Sequence, residues 1–440
     1  MRIVHLSTHD ITGGAARSAY RLHTGLRQLG CDSLMFVAHR KSEDDSVVAF
    51  RPPRDLLSRL SRRLRQAKIQ RSFALYQNTR PAGYEGFSDA RSQYGASFLK
   101  QLPSHNLVNL HWIAGFVDYK TFFTIVPQRT PIVWRLSDQN AFTGGCHYDD
   151  GCGKYNTGCG KCPQLGSGEE EDLSAQLWQC KKELFSRISA AHLHIVAQSR
   201  WMADQTRNSA LLGRFPVTII PNGLDTTVFS PQNRARVRDA FGIPRAAKVV
   251  LFAAASITNR RKGFAFLART LAKLRHTDLF LVSLGKGTPS FDLYVPHLHL
   301  DKIEDDHTLA QVYSAADVYV IPSLQDTLPN TVLEAMACGT PIVGFAIGGI
   351  PDMVRPDLTG LLVPVGNVDA LRDAISQLLE NEAKKAEMSV NCRLIAMKEY
   401  SLELQVRRYI ALYEELLSQS QGSLLSAKES GWYQGMPSSQ

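Results

Sequence analysis

The amino-acid sequence predicts an α/β protein made of two doubly wound domains. Near its start, residues 3–6 form an apolar strand pattern, a loop with Gly13 and Gly14 follows, and residues 15–29 have a helical pattern. This order of strand, glycine loop and helix opens a doubly wound domain. A second series of strand and helix patterns begins at residue 248. A chain of 440 residues is long enough for two domains with substantial cores.

The remaining strand patterns fall at intervals that leave room for helices between them. They cover residues 33–38, 107–112, 131–136 and 194–199 in the first half, and 248–254, 279–284, 318–322 and 342–345 in the second; residues 217–225 have the pattern of a strand followed by a turn. Strands that alternate with helices are typical of parallel sheets.

The composition is that of an ordinary globular protein, with 44% hydrophobic and 21% charged residues. No run of about twenty apolar residues is present, so no segment is expected to span a bilayer. The N-terminal strand pattern is too short for a signal peptide, and we expect a cytoplasmic protein. The formal net charge of +9 favours anionic partners: nucleic acid, a membrane surface or anionic substrates.

A strongly basic stretch covers residues 51–71. It holds eight Arg and Lys residues and a single acid, Asp55, while Leu57, Leu60 and Leu64 recur at helical spacing. The pattern predicts a basic amphipathic helix. Two interpretations remain open: docking on an anionic membrane, where each cation contributes about 1 kcal/mol, and a solvated helix that packs one leucine stripe. No aromatic interleaving accompanies the cations, so nucleic acid is not an expected partner.

Three features of the first half suit a ligand cleft. Gly13 and Gly14 would let the backbone approach a phosphate at a helix N-terminus, although a plain tight turn also explains them. His111 and Asp138 each follow a strand pattern. Residues at the carboxyl ends of parallel strands face the cleft in a doubly wound fold. Both side chains are therefore candidates for ligand contact, with a packed surface histidine as the alternative for His111.

Four of the eight cysteines lie close together in a Cys-rich loop, residues 141–165. They are Cys146, Cys152, Cys159 and Cys162. The two-residue gap between the last pair is typical of structural zinc sites, in which four thiolates form a closed tetrahedral shell. An iron–sulfur cluster and reduced, metal-free thiols are the alternatives. His147 is a further ligand candidate, ranked below the thiols. A closed shell has no vacant position, so a metal here would be structural.

In the second half, Arg260, Arg261 and Lys262 precede a helical pattern that begins at Phe264. Cations at the start of a helix oppose its dipole unless an anion lies there. Arg261 and Lys262 are therefore candidates to bind a diphosphate, and an exposed basic turn is the alternative. Gly285 ends the next strand pattern.

Residues 326–349 carry the most specific pattern of the chain: loop, helix, turn, strand and a second loop. Two acids, Asp326 and Glu334, are separated by seven residues, with one in the entry loop and one inside the helix. An acid near a helix N-terminus can accept hydroxyl groups, and free backbone N–H groups there bind anions. This combination suits a sugar attached to a phosphate.

This stretch resembles the donor site of the retaining glycosyltransferases of family 4. Their pattern is an acid, seven residues, Glu, and then Ala-Met-Ala-Cys-Gly-x-Pro-Val/Ile-Val. Asp326, Glu334 and residues 335–343 match it without a gap, with Asp in place of the usual first Glu. The segments TGGCHY and CPQL of the Cys-rich loop resemble the branch that makes exopolysaccharides, including the colanic-acid type. Ser137 stands where many of these sequences have His, which gives more weight to His111.

The resemblance implies the GT-B architecture, in which two Rossmann-like domains face a cleft. Residues 1–215 would form the acceptor domain and residues 216–400 the donor domain. A helix over 402–417 would pack back on the first domain, and residues 419–440 are expected to be a disordered tail.

The activity implied by the resemblance is sugar transfer from a UDP- or GDP-sugar to an acceptor hydroxyl, with retention. The expected acceptor is a saccharide or a lipid-linked saccharide of a surface polysaccharide, met at the inner face of the cytoplasmic membrane. No catalytic metal is expected, because fixed cations and a helix dipole can stabilise the leaving diphosphate. The alternatives are a nucleotide-sugar epimerase and a non-catalytic, nucleotide-sugar-binding partner subunit.

The resemblance also assigns roles to individual residues. Asp326 should hold the sugar hydroxyls and Glu334 the donor ribose, while Arg261 and Lys262 stabilise the diphosphate and His111 lies near the reacting groups. The acceptor side is expected to include Gly13, Gly14 and Asp138. The remaining donor-binding candidates are Gly285, Leu328, Pro329, Asn330 and Thr331.

Overall fold

A computed structural model describes residues 1–274, 276–288 and 295–432, with the backbone alone described for 421–432. The first sheet has seven strands: β1 Arg2–His9, β2 Asp32–His39, β3 Val47–Ala49, β4 Leu107–Leu110, β5 Ile132–Leu136, β6 Leu193–Ala197 and β7 Val217–Ile219. Their order across the sheet is β3-β2-β1-β4-β5-β6-β7, and every pair is parallel.

The second sheet has six strands: β8 Lys248–Ser256, β9 Leu279–Lys286, β10 His297–Leu300, β11 Val318–Ile321, β12 Ile342–Phe345 and β13 Gly360–Val363. They lie in the order β10-β9-β8-β11-β12-β13, again all parallel. The order reverses beside β1 in the first sheet and beside β8 in the second. Open sheets bind ligands at such switch points, beyond the carboxyl ends of the strands.

Helices surround both sheets. In the first half they are α1 Gly14–Gln28, α2 Leu56–Ala74, α3 Tyr119–Ile125, α4 Leu173–Ser186 and α5 Arg200–Asn208. In the second half they are α6 Arg234–Ala240, α7 Phe264–Leu271, α8 Asp306–Ala315, α9 Asn330–Ala337, α10 Ile350–Met353, α11 Val368–Glu380, α12 Glu382–Tyr400 and α13 Leu402–Trp432.

Each sheet is buried on both faces, because neighbouring strand residues enter different core clusters. In β1, Val4 belongs to one cluster and Ile3 to another, and in β8, Leu251 and Phe252 divide in the same way. This arrangement explains the nearly continuous apolar runs in the sequence, which are typical of parallel sheets.

The chain crosses between the domains twice, and the two crossings lie side by side. Leu224 donates its backbone N–H to the carbonyl of Tyr400 at 2.9 Å, and the N–H of Leu402 donates to the carbonyl of Leu224 at 2.9 Å. After the second crossing, α13 packs against α1 in a cluster with Tyr409 and Tyr413.

Two predicted boundaries need correction. Because β7 pairs with β6, the first domain extends to residue 219 rather than ending at 215. The helix α13 continues through Trp432, so residues 419–432 are helical rather than a disordered tail; Gln, Leu, Ala and Lys in this stretch are good helix formers. Residues 433–440 lie outside the described part of the chain. Within residues 1–274, 276–288 and 295–432, no helix is long and apolar enough to cross a membrane.

Candidate active site

A cleft of about 430 Å³ lies between the carboxyl ends of the two sheets. Ten of the residues selected from the sequence line it together: Gly13, Gly14, Asp138, Arg261, Lys262, Asp326, Leu328, Pro329, Asn330 and Thr331. Glu334, His111 and Gly285 were also selected but do not line this cleft. The structure therefore brings together residues from sequence positions more than 300 apart.

Asp326 lies in the wall of the cleft that the second domain provides. Its Oδ2 accepts a hydrogen bond from Lys262 Nζ at 2.6 Å and lies 3.4 Å from Arg261 NH1. Burial raises the pKa of Asp326, but Lys262 and Arg261 outweigh burial and hold this pKa below its ordinary value. The group is thus a carboxylate at neutral pH, fixed between two cations.

Arg261 is held from several directions. Its Nε donates to Glu85 Oε1 at 2.7 Å, its NH1 donates to the Gln325 carbonyl at 2.6 Å, and its guanidinium lies 3.9 Å from the centre of the Tyr148 ring. Glu85, Tyr148 and Gln325 were not selected from the sequence, which contains no local signal for contacts between segments so far apart.

Glu334 lies inside α9 and faces the first domain. Arg21 in α1 donates to Glu334 Oε1 from two nitrogens, each at 3.2 Å, and the Tyr313 hydroxyl donates to Oε2 at 2.9 Å. The carboxylate predicted to hold a ribose is therefore paired with an arginine of the first domain.

The N-termini of α1 and α9 meet at the cleft. Neither helix has a side-chain cap at its first turn. Asn330 bridges them: its Nδ2 donates to the Gly14 carbonyl at 3.2 Å and to Ser18 Oγ at 2.8 Å. Its Oδ1 accepts from Asn222 in the linker at 2.9 Å. Backbone N–H groups at such ends favour anionic ligands.

Asp138 forms a buried cluster on the opposite wall. Its Oδ2 accepts from Trp112 Nε1 at 2.9 Å and from His147 Nδ1 at 2.6 Å. Burial raises the pKa of Asp138, but the His147 imidazole, the N–H of Asn140 and the Trp112 indole together outweigh burial and hold this pKa below its ordinary value. His147, ranked in the sequence as a spare metal ligand, instead supports this carboxylate and contacts Ser88 Oγ at 2.7 Å.

Ser137, which replaces the expected histidine, lines the cleft next to Arg135. The Arg135 guanidinium is fully buried and donates to Asn222 Oδ1 at 2.6 Å and to Ser137 Oγ at 3.2 Å. In the described part of the chain no carboxylate pairs with Arg135. Burial lowers the pKa of this guanidinium. Sequence analysis missed Arg135, because it stands within an otherwise apolar strand pattern.

His111 is a core residue rather than a cleft residue. It is buried, its Nε2 lies 2.8 Å from Nδ1 of His5, and burial lowers the pKa of both rings well below 6.5. The next residue, Trp112, lines the cleft instead, together with His9 at the end of β1. Consecutive residues of a strand point to opposite faces, and the sequence pattern did not show whether His111 or Trp112 faces the cleft.

Gly285 has a backbone role. Its φ is +136°, and a Cβ atom at this position would lie 2.0 Å from the Ala254 carbonyl oxygen. Only glycine fits this close approach between β8 and β9.

The four clustered cysteines line one small cavity of about 20 Å³. Burial raises the pKa of Cys159 to about 12 and raises those of Cys146 and Cys162 as well. Among the described residues, no three His, Cys, Asp or Glu side chains are grouped so that they could hold a metal ion. The zinc site therefore remains a prediction from the spacing of the cysteines.

Comparison with solved structures decides the architecture. Sucrose-phosphate synthase from Thermosynechococcus elongatus superimposes with a TM-score of 0.63 at 19% identity, over 95% of this chain and all of that one. Anabaena HepE, crystallised with UDP-glucose, gives a TM-score of 0.64 at 16% identity, over 94% of this chain and all of that one. The fold is GT-B. The predicted fold class is confirmed.

Sequence comparisons match part of this GT-B chain. Residues 247–381 match the family model described as "Glycosyl transferases group 1". D-inositol 3-phosphate glycosyltransferase 1 of Catenulispora acidiphila is 31% identical over 273 residues, 57% of this chain and 64% of the relative. The N-acetyl-alpha-D-glucosaminyl L-malate synthase of Bacillus anthracis is 26% identical over 46% of this chain and 54% of its own length. The chain thus spans less than two thirds of these curated relatives.

Proposed function

We propose that this protein is a retaining glycosyltransferase that moves a sugar from a nucleotide diphosphate sugar to an acceptor hydroxyl. The observation that carries the proposal is the convergence of Lys262, Arg261 and Asp326 with the uncapped end of α9 in one cleft. The match of residues 247–381 to the group 1 glycosyl transferase model supports it.

On the donor side, the two cations would neutralise the charge that develops on the leaving diphosphate. Fixed donors in a partly buried cleft stabilise such charge strongly, because they need no reorganisation during the reaction. Asp326 would accept hydrogen bonds from the sugar hydroxyls, because a carboxylate that stays ionised is a hydrogen-bond acceptor. A UDP-sugar is the first donor to test, because HepE was crystallised with UDP-glucose, and a GDP-sugar is the second.

Glu334 would accept hydrogen bonds from the donor ribose. This role requires Arg21 to share or release the carboxylate, because both Arg21 bonds end on Oε1. Ribose hydroxyls are neutral donors and can add to an ion pair without replacing it, since a carboxylate accepts up to about four hydrogen bonds.

On the acceptor side, Asp138 and the strand ends around Trp112 would receive the nucleophilic hydroxyl. We propose a saccharide or a lipid-linked saccharide as the acceptor. Relatives named for D-inositol 3-phosphate and for L-malate show that small anionic acceptors belong in the same screen.

The lipid-linked choice is supported by α2, which has no buried residue. Leu57, Leu60 and Leu64 are 80%, 56% and 62% exposed on a helix rich in arginine. An apolar stripe flanked by cations suits the surface of an anionic membrane, and we propose that α2 makes this contact at the inner face of the cytoplasmic membrane.

A mass-resolved transfer assay tests the proposed activity. UDP-, GDP- and dTDP-sugars are incubated with saccharides and a membrane lipid extract, using wild type, Lys262→Ala and Lys273→Ala. We expect the first variant to lose about 10²- to 10³-fold in rate, as when one charge-stabilising donor is removed. Lys273, which pairs with the exposed Asp369 at 2.8 Å, is the matched control and should keep wild-type rates.

Other outcomes would point to other functions. A new nucleotide sugar of unchanged mass, formed without an acceptor, would indicate an epimerase. Tight binding of one nucleotide without turnover of any donor would indicate a non-catalytic binding subunit. Equal rates in wild type and Lys262→Ala would contradict the assigned site.

A further inference from the structure

The segment between α2 and β4 reaches from the first domain to the donor cations. Glu85 in this segment accepts hydrogen bonds on Oε1 from Arg261 Nε and from Asn259 Nδ2, each at 2.7 Å. Both donors belong to the turn that precedes α7 in the second domain. An acidic residue of the acceptor domain thus accepts a hydrogen bond from Arg261, which is predicted to bind the diphosphate.

The segment is anchored firmly to its own domain. Phe87 is buried and forms an antiparallel bridge with Cys146, and the N–H of Ser88 donates to the Gly145 carbonyl at 2.8 Å. Upstream, Thr79 Oγ1 donates to the Leu165 carbonyl at 2.7 Å. These contacts fix Glu85 to the Cys-rich loop, so the carboxylate has a defined position in the first domain.

Tyr148, from the same Cys-rich loop, supports Arg261 on a second side. The guanidinium carbon lies 3.9 Å from the centre of the Tyr148 ring, a cation–π contact. Two groups of the first domain therefore hold one arginine of the second. Nε and NH1 of Arg261 are engaged, while NH2 has no hydrogen-bond partner among the described residues.

We propose that Glu85 and Tyr148 are positioning residues of the donor site, which orient Arg261 so that its remaining nitrogen can bind the diphosphate. The inference rests on the proposed function and extends it. The donor site would be complete only when the two domains are closed, because the acceptor domain supplies the groups that fix the arginine. A planar guanidinium held at two points has little freedom left to lose when it binds phosphate.

The alternative role for Glu85 is competition with the diphosphate for Arg261. The two roles predict opposite results, because removal of a competitor would tighten nucleotide binding. The contacts around the turn favour positioning, because Glu85 bonds Arg261 through Nε alone and Lys262 is paired with Asp326. Glu85 therefore leaves NH2 of Arg261 available for the diphosphate.

Calorimetric titration of the full-length protein with UDP, GDP and dTDP tests the inference without requiring turnover. For the nucleotide that wild type binds, we expect Glu85→Ala to weaken affinity about tenfold or more, the typical effect of a lost hydrogen bond to a charged group. Tyr148→Leu should weaken binding, and Tyr148→Phe, which keeps the ring, should not. Glu304→Ala, which breaks the exposed Lys41–Glu304 pair between the same domains, is the control and should bind as wild type does.

A double-mutant cycle separates positioning from a general structural effect. In an Arg261→Ala background, Glu85→Ala should cause no further loss of affinity, because the group that it orients is absent. Thermal unfolding of each variant shows whether it is folded. Unchanged or tighter binding in Glu85→Ala, or full additivity in the cycle, would overturn the inference and leave the proposed function intact. If wild type bound none of the three nucleotides, both proposals would fail together.

Discussion

Charged side chains in and beside the cleft form ion pairs within and between the domains. Lys262 contacts Asp326 within the second domain, whereas Arg21 of the first domain contacts Glu334 of the second. An unpaired charge in such a partly buried place is costly, so each pair fixes the position of its members. Under the proposed function, a diphosphate would exchange with some of these partners, and the affinity for the nucleotide sugar would depend on which ion pairs open.

Away from the cleft, Asp317 is a carboxylate on which three cations of the donor domain converge. It accepts hydrogen bonds from Arg238 at 2.8 Å, Arg234 at 3.0 Å and Lys385 at 3.2 Å, and from the N–H of Val249 at 2.8 Å. Burial raises the pKa of Asp317, but the N–H of Val249 and the three cations outweigh burial and hold it below the ordinary value of 3.8. The carboxylate thus ties α6, α12 and β8 together.

We expect Asp317→Asn to lower the free energy of unfolding by about 3–5 kcal/mol at pH 7, because it leaves buried cations without their counter-charge. Since the folded pKa lies below the unfolded one, this stability is fully present above the unfolded pKa and is lost as the pH falls through the folded pKa. Wild type should therefore lose stability below about pH 4 more steeply than the variant. Urea unfolding across pH 3–7 measures both effects.

The matched control is Asp369→Asn, whose exposed pair with Lys273 should contribute little to stability, because solvent screens the two charges. Equal losses in the two variants would show that Asp317 has no special role in stability.

At the scale of elements, α2 and α13 are long helices with opposite surroundings. The first has no buried residue, whereas the second buries Tyr409, Tyr413 and Val406 against α1 and the first sheet. Gly25 of α1 allows this close packing, because a Cβ atom there would lie 2.6 Å from Val406 Cγ2. A helix that packs Phe73 against Phe87, buries no residue fully and keeps several leucines exposed favours a partner outside the chain.

The double substitution Leu57→Asp, Leu60→Asp should abolish binding to phosphatidylglycerol-containing vesicles and leave thermal stability unchanged, because both leucines are exposed. Flotation with the vesicles measures binding, and pure phosphatidylcholine vesicles should bind wild type weakly. Added salt should weaken binding, because the cations of α2 act through screened charges. Val390→Asp places the same charge at another exposed apolar residue and should bind normally. Equal binding by all three proteins would exclude α2 as the contact.

Much of the second domain's wall of the cleft could be predicted from the sequence, because its elements are local. The loop, helix and strand of residues 326–343 follow one another in the chain, so their order places Asp326 in the loop before α9, and the resemblance to the family motif added Asn330. The long-range contacts could not be predicted. Glu85 and Arg261 are 176 residues apart, and no pattern in either segment indicates the other.

The wall of the cleft that the first domain provides was less predictable, because it depends on which residue of a strand end faces the cleft. His111 and Trp112 are neighbours, yet only the second lines the cleft. A strand that is buried on both faces has a continuous apolar pattern, and this pattern does not indicate which face of the sheet each side chain is on.

At the scale of the whole molecule, the two domains contact each other on both sides of the cleft. On one side, Arg21 bonds both Asp306 and Glu334. On the other side, Gln325 donates to Asp149 at 2.7 Å, close to the contact of Glu85 with Arg261. The paired crossings at Leu224 provide a narrow connection at one end. This arrangement suits a hinge about which the two domains close over a ligand. Hinge closure of this kind is common in two-domain enzymes.

The closed arrangement should depend on Arg21 more than on any exposed pair. Its guanidinium carries three hydrogen bonds to acids of the other domain, at 3.1–3.2 Å, and its side chain and that of Glu334 are only 12% and 7% exposed. Charged hydrogen bonds of this kind contribute about 1.5–3 kcal/mol each. We expect Arg21→Ala, without nucleotide, to have a larger radius of gyration in small-angle X-ray scattering. Lys41→Ala breaks an exposed pair with Glu304 and should match wild type at physiological salt. If Arg21→Ala is folded and its radius of gyration is that of wild type, closure must instead be maintained by contacts on the opposite side, around Glu85 and Gln325.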